Sequence, residues 1–253
     1  MKKFAALLLC AVLCVSTAFA AGLRAETLPA YGLSISLPDD WALFTPDTPD
    51  DDPNLSMLEA DGATVRETLK SSSIVLHCLR QDRTAELSVV AFTDKRVKQT
   101  FSYLACDDKQ LDNQGKKIIG YDLDSGVNYE AYTIYRTPQI AFLRFTGSVK
   151  AEDKLVSEFV QYATVVNGNA FNITLRCDAD LLDSDAEALV KQVVDSMQFD
   201  ELLEKPVNVT DILVLVGFAV VFIGLVVSLV ITVVKFKKKQ KAQSLLDSSS
   251  EQE

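Results

Sequence analysis

The chain has 253 residues, a formal net charge of −10, one histidine and five cysteines. An acid excess of that size disfavours nucleic acid, which needs basic grooves. A single histidine removes most histidine-based metal sites, which take two or three such ligands. Two long apolar stretches, one near each end, point to a membrane.

The first stretch reads as a signal peptide over residues 1–20. Met1-Lys2-Lys3 is basic, Phe4 to Val15 is apolar, and Ala18-Phe19-Ala20 is a small-x-small cleavage pattern. Cys10 and Cys14 follow Leu9 and Leu13 rather than the small residue that bacterial lipidation needs, which argues against a lipoprotein. The mature chain then keeps Cys78, Cys106 and Cys177. In an oxidising compartment, one pair and one thiol is the simple expectation, with the pairing left open. The alternative is that Cys78 and Cys177, each ending a strand-like run on its apolar face, are ordinary buried thiols.

A domain is expected over residues 27–201. Tyr31 to Pro38 alternates apolar and small polar residues, as a half-buried strand does, and leads into Asp39-Asp40-Trp41. Asp52-Pro53 reads as an N-cap and first-turn proline, opening a short helix to Ala60 that would end at Gly62. Val65 and Leu69 suggest another short helix. Ile74 to Leu79 and Glu86 to Thr93 are β-rich runs around a polar turn. Val97, Phe101 and Leu104 have helical spacing, and Asp107 to Lys117 reads as a polar loop.

Strands are predicted over Asn128 to Arg136 and Ile140 to Val149. Tyr162 to Val166 and Asn169 to Cys177 flank Asn167-Gly168, the strongest hairpin signal in the chain, because both central residues of a type I′ turn need positive φ. Ser184-Asp185-Ala186-Glu187 fits a capping box. The helix that follows carries Leu189, Val190, Val193, Val194 and Met197 on one stripe. Strands in meander order with helices before, between and after them predict an α+β domain, one antiparallel sheet flanked by helices.

Residues 202–211 form a tether, broken by Pro206, to the second apolar stretch. Ile212 to Val234 runs 23 residues without a charge and is followed by five lysines within Lys235 to Lys241. As a helix it would span about 34 Å, enough to cross a bilayer. The lysines orient it with the C-terminus in the cytoplasm. Residues 235–253 then form a basic and finally disordered tail. Gly217, Gly224 and Ser228 offer a small-residue face for a homodimer or another membrane partner.

Two stretches carry a family likeness: Ile35-Ser36-Leu37-Pro38-Asp39-Asp40-Trp41, and the terminal hairpin from Asn169 with its helix and Asp195-Ser196-Met197-Gln198-Phe199. Together they resemble the PsbP-like sandwich domains over about residues 27–201. The resemblance implies an α/β/α sandwich in an envelope protein and carries no ligand or metal residues onto this chain.

The chemistry available is limited. His77 is the one possible histidine base, and adjacent Cys78 is a poor partner because neighbouring strand residues face opposite ways. Asp47 to Asp52, Asp122 to Gly126 and Asp178 to Glu187 are acidic clusters, but none has the EF-hand order of ligands. No catalytic, cofactor-binding or metal residue is therefore assigned, and no cofactor is expected. The expectation is a single-pass, membrane-anchored extracytoplasmic domain that binds a ligand or serves as an accessory subunit. Its partners would be the bilayer and a membrane protein, not nucleic acid. The competing expectation is an extracytoplasmic enzyme, a hydrolase or thiol enzyme using His77.

Overall fold

The computed structural model describes residues 22–119, 126–152 and 154–206. The expected signal peptide, the stretch from Ile212 to Val234 and the tail lie outside these residues. Among the described residues no helix is long and apolar enough to cross a membrane.

The architecture is α+β, with antiparallel strand pairing in two sheets. In chain order the strands are β1 (Leu23–Leu28), β2 (Leu33–Pro38), β3 (Ala42–Phe44), β4 (Ile74–Leu79), β5 (Ala85–Phe92), β6 (Val127–Arg136), β7 (Ala141–Ala151), β8 (Lys154–Val166), β9 (Asn169–Asp178) and β10 (Gln198–Phe199). The helices are α1 (Gly62–Ser71), α2 (Lys95–Thr100), α3 (Asp108–Ile119) and α4 (Ser184–Asp195), with 3-10 turns at Pro29–Tyr31 and Pro53–Met57. The small sheet has the order β1-β2-β10, and the large one β3-β4-β5-β9-β8-β7-β6. The sequence predicts one sheet. The second exists because β1, which has no strong alternation, pairs along the whole of β2.

Each face of the large sheet is built by period-two alternation. One face carries Leu87, Val89, Phe171, Ile173 and Leu175, all buried. The small sheet covers it with Leu33, Ile35 and Leu37, and α4 covers it with Val190, Val193 and Val194. Each such side chain contributes roughly 1.5–3 kcal/mol when fully buried, so this layer is the main core. Ser196 fastens the two covers together: its hydroxyl accepts from the Ser36 N–H at 2.8 Å and donates to the Val193 carbonyl at 2.6 Å.

Among the described residues the opposite face is covered at its two ends. At one end Val65 and Leu69 of α1, with Leu55, Phe44 and Leu79, form a small core. At the other, Leu111 of α3 packs on Ala141, Leu143 and Phe145. Between them the strands present polar groups: Ser88, Thr174 and Gln161 lie side by side across β5, β9 and β8. Gln161 accepts from Tyr129 and Thr174 at 3.2 and 3.3 Å.

Several local expectations change. Asp107 to Lys117 is not a loop, because α3 begins at Asp108. Its start carries a reciprocal cap: Asp107 accepts from the Gln110 N–H at 2.7 Å, and Gln110 accepts from the Asp107 N–H at 2.9 Å. Gly62 does not end a helix but opens α1, capped by Asp61. It is glycine because a Cβ would lie 2.9 Å from the Asp50 Cα. The cap of α4 is Asp183 rather than Ser184, and Glu187 reaches Arg144 at 2.8 Å instead of folding back. The helix predicted through Leu104 stops at Thr100, where Phe101 takes φ of 66°. Strand β8 starts at Lys154, well before Tyr162. The Asn167-Gly168 turn has φ of 52° and 74°, as the hairpin requires.

Candidate functional site

The site begins with an irregularity in β4. The pairing with β5 shifts between Ile74 and Leu76, so strict alternation breaks there. Val75 and Leu76 both pack into the main core, while Ile74 joins the α1 side. Ile74 and His77, three residues apart, therefore share a face that regular alternation would deny them.

Above that face α1 leaves a cleft of about 290 Å³. Ile74 and His77 form its floor, and Val65 and Leu69 of α1 its inner wall. Leu58 and Ala60 close the side, and exposed Thr64 and Thr68 stand at the mouth. The interior is thus aliphatic, with one nitrogen-bearing ring in it. Binding pockets usually have this make-up: apolar walls and a few placed polar groups.

His77 is half-buried opposite Phe44, with ring centroids 6.2 Å apart. Its Nδ1 is buried and has no hydrogen-bond partner. Burial pulls its pKa below the ordinary histidine value. Glu86 opposes part of that shift and Arg176 adds to it. Those two charges pair with each other at 3.0 Å. The ring is therefore neutral near pH 7, and among the described residues no carboxylate is hydrogen-bonded to it as one would be in a nucleophile–base set.

The thiols lie elsewhere. Cys78 points into the main core, where burial pushes its pKa up to about 12. Cys177 is also buried there. Cys78 pairs with Leu87 and Cys177 with Ala85, on opposite sides of β5. Two strand spacings separate them by about 10 Å, beyond the roughly 7 Å that a disulfide spans. Cys106 sits beside the α3 core, its Sγ 3.6 Å from the Ser102 carbonyl oxygen. The expected single disulfide is absent: all three cysteines are thiols.

Residues of two of the acidic clusters are engaged in structural contacts. Asp50 pairs with Arg66 at 2.8 Å, Asp52 caps the 3-10 turn, and Asp183 caps α4. Residues 122–125 lie outside the described residues. Among the described residues no group of three or more acidic, cysteine or histidine side chains is placed to hold a metal ion. A second cleft of about 240 Å³ lies between Trp41 and the start of α4. Two of its polar groups are already bonded, Arg80 to Asp82 at 2.8 Å and Asp183 to its helix.

The sequence singles out His77 but not its surroundings. Nothing in Ile74 to Leu79 reveals the irregular pairing, and Thr64 and Thr68 read as ordinary exposed helix positions.

No protein-family model matches the chain, and no curated protein matches it. Several solved structures are similar, two of them as follows. One is the solution structure of cyanobacterial PsbP (CyanoP) from Synechocystis, at 13% identity over 71% of this chain and 93% of that one, with a TM-score of 0.46. The other is a crystal structure from Bacteroides thetaiotaomicron, at 14% identity over 76% of this chain and 56% of that one, with a TM-score of 0.41. Likenesses of this size carry no argument about what the chain does.

Proposed function

We propose that this chain is a single-pass membrane protein whose extracytoplasmic domain binds a ligand or partner and catalyses no reaction. The membrane part of the reading rests on sequence: the basic-apolar-small pattern of residues 1–20, and the uncharged run Ile212 to Val234 followed by lysines. The PsbP-like reading of the domain likewise rests on the Ile35 to Trp41 turn and the terminal hairpin and helix, and implies no activity.

The observation that carries the binding role is the cleft under α1. It is mainly apolar, sized for a small molecule, and holds one nitrogen-bearing ring inside, with the two threonines at its mouth. Among the described residues no thiol lines the cleft and no carboxylate is hydrogen-bonded to His77, so the groups for acyl transfer are not assembled there. A binding site needs only the walls and the single anchor. This favours binding over the hydrolase or thiol-enzyme reading of His77.

The test is photocrosslinking from the mouth of the cleft in intact membranes. A photoreactive residue at Thr68 should give an adduct that the same residue at Lys70, exposed one turn-face away, does not give. Protease added from outside should remove the adduct. Equal labelling from both positions, or an adduct protected from external protease, would sink the proposal.

A further inference from the structure

From the cleft we infer that the ligand is an uncharged, mainly hydrocarbon molecule bearing one hydrogen-bond-accepting oxygen, held by the Nε2–H of His77. This rests on the binding role proposed above and adds the chemical class.

The size comes first. An apolar cavity of about 150 Å³ holds benzene, and the His77 cleft measures about 290 Å³. A molecule of roughly ten non-hydrogen atoms fits it. Val65, Leu69 and Ile74 would contact its body through dispersion and the release of water. A charged ligand would exchange its hydration for aliphatic contacts, which is costly.

The polar end follows from the imidazole. A neutral ring carries one N–H and one lone pair. Nδ1 is buried without a partner. Orphaned buried N–H groups are rarer than under-satisfied acceptors, so the lone pair belongs on Nδ1 and the proton on Nε2. Nε2 lies at the far end of the ring from the backbone, and His77 lines the cleft. The ring therefore presents a donor. Protonation would place a second N–H, and a charge, at the dry Nδ1 position, so an anion gains little from a matching imidazolium. A ketone, ester or ether oxygen satisfies the donor without charge.

His77 is the only histidine in the chain, so one pair of imidazole nitrogen resonances reports on it without assignment. The experiment uses the full chain in lipid nanodiscs, with acetophenone and ethylbenzene as matched probes that differ chiefly in the oxygen. Empty nanodiscs correct for partitioning. Acetophenone should bind about fivefold tighter, the worth of one neutral hydrogen bond. It should move the Nε2 resonance of a tautomer protonated at that atom. His77→Phe should bind both probes alike, at the affinity that wild type has for ethylbenzene, and Thr68→Trp should weaken both. If wild type binds both probes equally and the nitrogen signal stays still, the anchoring role of His77 is wrong while the cleft stands as a binding site. If neither probe binds, the cleft itself is not the ligand site and the binding proposal loses its support.

Discussion

Replacing His77 with phenylalanine should stabilise the domain. The native imidazole leaves Nδ1 buried without a partner, and an unmet buried polar atom costs about 1–3 kcal/mol. Phenyl removes that atom. Its additional ring carbon faces the cleft, which has room for it. Because His77 is half-buried rather than fully enclosed, the gain belongs near the lower end, about 1 kcal/mol. In a domain of this size that corresponds to roughly 2–4 °C in melting temperature. The effect has a pH signature. Burial depresses the folded-state pKa of His77, so the unfolded chain takes up a proton below its own pKa of about 6.5 before the folded chain does. Wild type therefore holds this contribution fully above about pH 6.5 and loses it as pH falls. The variant has no such group, so its advantage should widen from pH 7 to pH 5. Trp41, the only tryptophan, is buried in the main core and reports unfolding in urea by fluorescence. A variant less stable than wild type at pH 7 by 1 kcal/mol or more, on the scale of the gain reasoned above, would refute the account. So would an advantage that shrinks as pH falls.

Asp183→Ala should cost about 1 kcal/mol in urea denaturation, because its carboxylate caps α4, whereas Ser184→Ala should change stability by less than about 0.5 kcal/mol. Gly115→Ala should destabilise by about 1–2 kcal/mol despite alanine's better helix propensity. Its Cβ would sit 2.4 Å from the Tyr132 ring, and Tyr132→Ala should relieve most of the cost in a double-mutant cycle. The Cys78 thiol, pushed up to about 12, stays protonated where the unfolded thiol ionises. Stability should therefore fall as pH rises above about 9, and Cys78→Ala should flatten that limb of the stability profile. A thiol reagent should label Cys78 and Cys177 in the native protein only at the rate of unfolding.

Legibility in the sequence followed the range of the forces involved. The Asn167-Gly168 hairpin was readable because its turn chemistry is local: the two residues take φ of 52° and 74° themselves. The stripe through Val190, Val193 and Val194 was readable because helical period and apolar character coincide. Helix α3 was not read, since its apolar stripe is thin and one of its buried positions is Gly115. Only contact with the Tyr132 ring gives that glycine a purpose, although the Asp107–Gln110 cap was present in the sequence as a helix signal. The candidate site was half legible. Composition isolated His77, but its floor depends on the slip in pairing at Ile74 to Leu76 and its wall on α1.

The sequence by itself determined the strand alternation, the amphipathic terminal helix, the acidic net charge and the single histidine. Each of these is a property of residue type or of spacing within a few positions. Tertiary structure decided the rest: the second sheet, the burial of Cys78 and Cys177 too far apart to link, and the cleft at His77. Those depend on which strand lies beside which, and in what register. Register is fixed by packing a whole face at once, because a one-residue slip turns every side chain to the opposite side. The slip in β4 does this to Ile74 and Val75 alone, and so places Ile74 on the face of His77.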